Sequence, residues 1–241
     1  MTLPVTLFDY GVGNLHSIRK ALEHAGAAVT VTEDAEMLLR APHVVLPGVG
    51  AFGACMERLA PVGDELRARL LDGTPCLAVC IGMHLLFASS EESPGVAGLG
   101  LFADPVRRFP SSVGKVPHMG WNTLHGPHGL PRWDTRSGVG LRWEDLLPAA
   151  GSHVYFVHSY YAAPTEPVTL QSATYGPPDA GVEFAAIVAR GNTLATQFHP
   201  EKSSGLGTEI VRRWVRQAAA YRDGAGLLER FGGRPPAESQ P

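Results

Sequence analysis

The sequence predicts an α/β fold with a single open, mostly parallel sheet, helices on both faces and an additional antiparallel portion. Up to about residue 99, β-branched runs alternate with helix-compatible segments, and neighbouring parallel strands need such crossovers. Beyond that point, strand-like segments follow one another with Gly and Pro turns between them, which is typical of antiparallel or mixed pairing. We therefore predict one three-layer domain over residues 1–231 and a flexible Gly- and Pro-rich tail over residues 232–241.

The first half of the chain supplies most of the predicted parallel strands. These short apolar runs cover residues 5–8, 29–32, 43–46 and 76–79. A helix is predicted after Asn14, which can cap it, and Gly26 is its stop. A second helix is predicted over residues 52–71, with a break near Pro61, and helix-compatible residues at 82–88 follow the fourth strand directly.

The second half contains strand-like segments separated by turn formers. They cover residues 99–109, 153–162, 168–175, 184–190 and 193–198. A last helix is predicted over residues 205–222, because its apolar residues recur on one face. Residues 125–142 are rich in turn formers without any periodicity, so we predict a surface loop there.

Composition excludes several classes of function. A formal charge of −3 over 241 residues argues against a broad surface for nucleic acid or anionic membranes. The longest apolar stretch, residues 76–88, is too short to span a bilayer, and the first residues do not have the pattern of a secretion signal. Three cysteines without zinc-like spacing suit free thiols in a reducing compartment. We expect a cytoplasmic protein without a metal site.

Cys80 lies at the junction of a predicted buried strand and a predicted helix. This corner exposes a side chain at the carboxyl edge of a sheet, as it does for the nucleophile of α/β hydrolases. The unpaired N–H groups and positive dipole end of the helix favour a thiolate there. Most cysteines are small core residues, so this segment alone leaves both roles open.

His199 and Glu201 follow the last predicted strand, with Pro200 between them. Residues two apart in extended chain point the same way, and Pro200 restricts His199 to an extended conformation. Glu201 could then hold one imidazole nitrogen while the other faces a thiol, as in a nucleophile–base–orienter triad. A surface His-Pro-Glu turn is the alternative. The position of Cys80 at another strand's carboxyl end, where ligands bind in open α/β sheets, favours the triad.

A glycine-rich loop follows the third predicted strand. Gly48, Gly50 and Gly53 satisfy a dinucleotide-binding fingerprint, but no acidic residue ends the next strand to hold a ribose, so we predict no cofactor. The better role is an oxyanion hole formed by the backbone N–H groups of Val49 and Ile81. A purely structural tight turn is the remaining alternative.

These motifs together resemble the class I glutamine amidotransferases. The features shared with that family are the Cys-x-Gly corner, the glycine-rich loop and the late Phe-His-Pro-Glu. Three more specific segments resemble the glutaminase subunits of imidazole glycerol phosphate synthases, and they are Asp-Tyr-Gly-Val-Gly-Asn at 9–14, Val-Pro-His-Met-Gly-Trp-Asn at 116–122 and Tyr-Phe-Val-His-Ser-Tyr at 155–160. The resemblance extends over residues 5–216 and implies a flavodoxin-like three-layer architecture.

The resemblance implies that Cys80 attacks the side-chain amide of glutamine, with His199 as acid and base and Glu201 as its orienter. Ammonia would pass to a (β/α)₈ barrel cyclase subunit in a heterodimer. That partner would make imidazole glycerol phosphate and an aminoimidazole carboxamide ribonucleotide in histidine biosynthesis. The resemblance implies no cofactor, no nucleic-acid partner and no membrane.

The resemblance also implies contacts to substrate and partner. Expected contacts to glutamine are Gly48, Gly50, His84, Glu92, His158 and Ser159. Residues expected to face the barrel subunit are Asn14, Pro117, His118, Met119, Gly120, Trp121 and Asn122. His84 departs from the family pattern, which commonly has glutamine four residues after the nucleophile. Glu92 could instead sit in a solvated turn, and Trp121 could cover the core.

Two other functions stay open at this level. One is a class I glutaminase that supplies another acceptor, in nucleotide, anthranilate or pyridoxal phosphate synthesis; segment 116–122 argues against it. The other is a regulatory relative that kept the fold without the chemistry, which the intact Cys80, His199 and Glu201 make improbable.

Overall fold

The computed structural model describes residues 2–128 and 141–225, with side chains up to residue 220. The predicted tail, the domain boundary at 231 and most of the predicted loop over 125–142 lie outside the described residues. The strands are β1 (Leu3–Phe8), β2 (Ala27–Thr32), β3 (Val44–Leu46), β4 (Cys76–Val79), β5 (Phe87–Ser90), β6 (Phe102–Arg108), β7 (His118–Thr123), β8 (His153–His158), β9 (Tyr160–Ala162), β10 (Thr169–Tyr175), β11 (Val182–Arg190) and β12 (Thr193–Thr196). The α-helices are α1 (His16–His24), α2 (Ala35–Leu39), α3 (Phe52–Leu59), α4 (Gly63–Leu71), α5 (Ile81–Leu85), α6 (Trp143–Leu146) and α7 (Ser204–Ala225).

A seven-stranded sheet, in the order β10-β11-β12-β4-β3-β1-β2, organises the molecule. Its five strands from β12 to β2 are parallel, and β10 and β11 add an antiparallel portion at one side. The predicted α/β architecture is confirmed. Leu46 pairs with Ala78, and Thr196 pairs with Val79, so β3, β4 and β12 end at the same edge. The residues that follow these three strands therefore converge.

Helices cover both faces of this sheet because its central strands are apolar on both sides. Val45 and Leu77 face the layer of α1 and α7, where the fully buried Trp214 packs. The alternate residues Val44 and Leu46 face the layer of α2 to α5. Among the described helices, none combines the length and hydropathy that a membrane-spanning segment needs.

In the first half of the chain, the helix boundaries of the structure agree closely with the proline, asparagine and glycine signals in the sequence. The predicted helix over 52–71 is broken into α3 and α4 by a 3₁₀ turn at Ala60–Val62 that contains Pro61. Asn14 accepts the backbone N–H of His16 at 2.8 Å at the start of α1. Gly26 follows that helix with φ +97°, which a residue without Cβ adopts readily.

Two smaller sheets lie beside the main one, and sequence periodicity did not anticipate all of their strands. They are the three-stranded sheet β5-β6-β9 and the antiparallel pair β7-β8. Residues 87–88 were predicted to be helical, but α5 ends at Leu85 and β5 begins at Phe87. This segment is a strand because of a contact distant in sequence: Phe87 pairs with Phe102 of β6, and the centroids of their rings lie 4.9 Å apart.

Substitution of Gly82 tests how closely α5 packs against the sheet. A Cβ at this position would lie 2.2 Å from the carbonyl oxygen of Leu46, so Gly82→Ala must push α5 away from β3. We expect the free energy of unfolding to fall by about 1–3 kcal/mol, measured by urea denaturation. The matched control is Gly205→Ala in α7, where no atom lies within 4 Å of the added Cβ. Equal stabilities of the two variants would contradict this packing.

Candidate active site

Cys80 occupies a strained corner between β4 and α5. Its φ of +48° and ψ of −107° are sparsely populated by residues other than glycine. Two backbone hydrogen bonds hold the corner: the N–H of Cys80 donates to the oxygen of Thr196 at 2.7 Å, and its oxygen accepts the N–H of His84 at 3.1 Å. The Cys80 side chain is thereby placed at the carboxyl edge of the sheet, at the N-terminus of a helix.

His199 and Glu201 form a buried pair beside that corner. Nδ1 of His199 lies 2.7 Å from Oε1 of Glu201, and the two side chains are only 4% and 7% exposed. The backbone of His199 is fixed by its N–H, which donates to Tyr155 at 3.0 Å, and by its oxygen, which accepts the Ser203 hydroxyl at 2.7 Å. The carboxylate therefore orients the imidazole through Nδ1, which leaves Nε2 for the interaction with Cys80.

The His199 ring and Cys80 approach each other at Gly48. A Cβ on Gly48 would lie 2.7 Å from Cε1 of His199 and 3.1 Å from Cβ of Cys80. The structure thus brings together the three residues predicted as a triad. Only glycine leaves room for the ring beside Cys80.

Charge interactions at the site favour a protonated His199. Burial lowers the pKa of its imidazole, but the charge of Cys80, a hydrogen bond to that residue and the contact with Glu201 together raise it to about 10. The protonated ring is thus buried between Cys80 and Glu201.

A cavity of about 390 Å³ opens above Cys80 and His199. All six residues predicted to contact glutamine line it, and they are Gly48, Gly50, His84, Glu92, His158 and Ser159. Sequence reasoning assigned no contact to three further lining residues: Val157 and Tyr160, which lie within the 155–160 segment, and Lys202, which follows Glu201. It also missed Gln197, two residues before His199, whose amide Nε2 lies 3.8 Å from the sulfur of Cys80.

Glu92 is anchored at the edge of the cavity rather than placed in a solvated turn. Its Oε2 accepts the N–H of Phe52 at 3.1 Å, at the N-terminus of α3, where a carboxylate is favoured. The neighbouring Ser93 accepts the N–H of Gly53 at 3.0 Å. A fixed negative charge at the rim suits a substrate ammonium group.

The glycine-rich loop is held by close packing. Gly50 has φ +101°, and a Cβ there would lie 2.7 Å from the sulfur of Cys55. The Cys55 thiol donates to the oxygen of Val49 at 3.5 Å, and the Val49 side chain packs on Gly13. These contacts fix the chain on either side of the Val49 N–H. The assignment of Val49 and Ile81 as oxyanion donors stays a prediction.

The other histidines at the site are neutral. Burial lowers the pKa of His84 to about 4, although the hydrogen bond that His84 donates to Gln197 raises it, and burial also lowers the pKa of His118 to about 4. Burial holds the pKa of His158 well below its usual value. The positive charge of the imidazole groups is therefore concentrated on His199.

Strand β7 presents an apolar surface next to the cavity. Met119 and Trp121 are 61% and 52% exposed, so Trp121 does not cover the core. Asn14 is exposed, while Pro117, Gly120 and Asn122 are half-buried. His118 is 3% exposed, because alternate residues of a strand face opposite sides. The prediction that its ring faces a partner is therefore wrong.

The part of the chain that the structure describes contains no cluster of three or more histidine, cysteine or carboxylate side chains that could hold a metal. Cys55, Cys76 and Cys80 are free and buried.

Comparisons with known proteins agree with this geometry. Residues 6–218 match the model of the class-I glutamine amidotransferase family. The chain is 42% identical over 213 residues to the imidazole glycerol phosphate synthase subunit HisH of Moorella thermoacetica, covering 88% of this chain and 93% of that subunit. It is 44% identical over 238 residues to HisH of Gloeobacter violaceus, covering 97% of each. The chain belongs to the class I glutamine amidotransferases.

The fold of this amidotransferase is shared with a solved relative. A crystal structure of a glutamine amidotransferase superposes with a TM-score of 0.63 at 20% identity, covering 89% of this chain and 98% of that one. At this identity the likeness concerns the fold alone.

His199 gives the amidotransferase a pH-dependent contribution to stability. Its folded pKa of about 10 lies above the ordinary 6.5, so the protonated ring stabilises the folded state in full below pH 6.5. That contribution is lost as the pH rises towards 10. Glu201→Gln keeps a hydrogen-bonding group but removes the charge, so the variant should lose less unfolding free energy over this range in urea titrations. As an independent check, NMR titration of the imidazole should give a lower midpoint in Glu201→Gln and in Cys80→Ser. Unchanged midpoints in both variants would contradict the conclusion that Cys80 and Glu201 raise the pKa of His199.

Proposed function

We propose that this chain is the glutaminase subunit of an imidazole glycerol phosphate synthase in histidine biosynthesis. It hydrolyses glutamine with Cys80, His199 and Glu201 and passes ammonia to a (β/α)₈ barrel cyclase subunit. The observation that supports this most is the 2.7 Å pair of His199 and Glu201 beside a strained cysteine in a substrate-sized cavity. The HisH relatives support the pathway over other ammonia acceptors.

The first half of the reaction forms a thioester. The Cys80 thiolate attacks the side-chain amide carbon, and the N–H groups of Val49 and Ile81 hold the developing oxyanion. His199 gives its proton to the departing ammonia. The charge of Cys80 raises the pKa of this imidazole in the resting enzyme. Once the sulfur has bonded to carbon that charge is gone, so the ring releases its proton to the leaving group more easily.

The second half regenerates the enzyme. Neutral His199 removes a proton from water, which attacks the thioester carbon, and glutamate leaves as the Cys80 thiolate reforms. The proton stays on His199, so the resting ion pair returns. Glu201 holds Nδ1 of the ring throughout and stabilises its positive charge.

Glutamine binds through groups around this centre. Glu92 supplies a carboxylate for the α-ammonium group, and its bond to Phe52 fixes it at the cavity edge. His158 and Ser159 also line the cavity, and they contact the main-chain end of the substrate. Both ring nitrogens of His158 already have partners in the protein, since Nδ1 donates to the oxygen of Tyr160 at 2.8 Å and Nε2 lies 3.0 Å from Nδ1 of His118. This residue therefore meets the substrate through its backbone.

The barrel subunit docks on the exposed face of β7. Met119 and Trp121 give this face an apolar centre, which is costly to leave in water and typical of interface anchors. Pro117 lies at its start and also lines the cavity, so the docking face adjoins the place where ammonia forms. The three free cysteines suit a cytoplasmic location for the complex.

Ammonia release from glutamine tests the glutaminase. We expect little activity from the subunit alone and a large increase with the barrel subunit loaded with its ribonucleotide. Cys80→Ser should abolish release, because a hydroxyl is a far weaker nucleophile than a thiolate. The control Cys76→Ala alters a buried cysteine in β4 and should remain active. The proposal fails if the parent releases no ammonia with partner and nucleotide present, or if Cys80→Ser matches the parent.

Trp121→Ala tests the docking face. The Trp121 ring is half exposed, and its centroid lies 6.1 Å from that of the Tyr155 ring in an edge-on arrangement. Its loss should therefore leave the melting temperature nearly unchanged. Affinity for the barrel subunit, measured by calorimetry, should fall about 10-fold or more, as for an interface anchor.

The matched control for Trp121→Ala is Met37→Ala, because Met37 is a 47% exposed apolar side chain on α2. Its loss should leave the affinity unchanged. Unfolding of Trp121→Ala, or an equal affinity in both variants, would rule out this surface.

A further inference from the structure

Gln197 joins His84 to the nucleophile through its two amide atoms. Its Nε2 lies 3.8 Å from the sulfur of Cys80, and its Oε1 lies 2.7 Å from Nε2 of His84. Gln197 is fully buried and His84 is 3% exposed. These contacts connect α5 with the segment that follows β12, immediately beside the cavity.

The chemistry of the groups sets the direction of these hydrogen bonds. An amide oxygen only accepts and an amide nitrogen only donates, so Nε2 of His84 must donate to Gln197. A neutral imidazole has one N–H, and here it is used on Gln197. The amide is thereby held with its NH₂ group towards the sulfur. The reversed amide would set an oxygen beside the thiolate and lose the bond to His84.

We infer that His84 and Gln197 are positioning residues for the nucleophile: the Nε2–H of His84 holds the Gln197 amide so that its N–H faces the Cys80 thiolate. The thiolate then has a neutral donor in addition to the imidazolium of His199. This inference rests on the proposed function, since it assumes that Cys80 reacts as a thiolate.

The same hydrogen bond changes what His84 can offer to glutamine. With the proton on Nε2, the remaining ring nitrogen, Nδ1, is an acceptor only. The glutamine that the family commonly has at this position carries both a donor and an acceptor. Any direct contact between His84 and the substrate must therefore be one in which the substrate donates.

The rate at which iodoacetamide alkylates Cys80 tests the pair, because this small reagent reacts with thiolates without needing the glutamine site. The isolated subunit is alkylated at neutral pH, and peptide mass spectrometry follows each cysteine separately. Gln197→Met removes the donor at similar length and should slow alkylation of Cys80 about 2- to 10-fold, the effect of one hydrogen bond.

The role of His84 is tested by three further variants. His84→Leu frees the amide to rotate and should also slow alkylation, whereas His84→Gln keeps a donor and should restore it. The double variant of His84→Leu with Gln197→Met should react no more slowly than Gln197→Met alone, because His84 acts through Gln197. Effects that multiply in the double variant would overturn the inference.

Gln171→Met is the matched control for a purely structural effect. Gln171 is also fully buried and donates to the oxygen of Pro148 at 2.9 Å, in β10 and away from the cavity. Its loss should leave the alkylation of Cys80 unchanged. A variant that unfolds would be recognised because Cys55 and Cys76 would become reactive as well, and Gln197→Glu then serves as the second variant, again with slower alkylation expected.

Steady-state kinetics with the loaded barrel subunit give a second readout. Gln197 is not among the residues that line the cavity, so Gln197→Met should lower kcat with little change in KM. Alkylation of Gln197→Met at the parent rate would overturn the inference. A parent enzyme without glutaminase activity would instead contradict the proposed function, and it would leave the alkylation test readable.

Discussion

The site depends on three parallel strands that end together. The registers of Leu46 with Ala78 and of Thr196 with Val79 bring the ends of β3, β4 and β12 to one edge, and the backbone hydrogen bond from Cys80 to Thr196 locks this alignment. The positive φ of Cys80 is held by two backbone hydrogen bonds, one to Thr196 at the end of β12 and one from His84 in α5. A local conformation that would be costly in isolation is thus supported by the central strands of the sheet.

The buried histidines at this edge of the sheet differ in their pKa values. Burial would keep every imidazole neutral, and it does so for His84 and His158. His199 differs because Cys80 and Glu201 both favour its charged form. The result is one protonated imidazole, on His199, among neutral ones.

Strand β8 connects the outer face of β7 to both catalytic residues. The oxygen of Tyr155 accepts the N–H of His199, and the oxygen of Val157 lies 3.8 Å from the sulfur of Cys80. These same two residues pair with Trp121 and Met119, the exposed side chains of β7. A partner that docks on β7 would therefore rest against the strand that supports the catalytic pair.

The sequence by itself determined the alternating strands and helices, the break near Pro61, the corner at Cys80 and the pairing of His199 with Glu201. These features depend on local patterns: periodicity, proline and glycine chemistry, and residues two apart in extended chain. Only the tertiary structure decided that Phe87 begins a strand, that His118 points inward and that Gln197 reaches Cys80. Each of these depends on a neighbour far along the chain, and the protonation of His199 likewise depends on burial and on the charge of Cys80, which no local pattern contains.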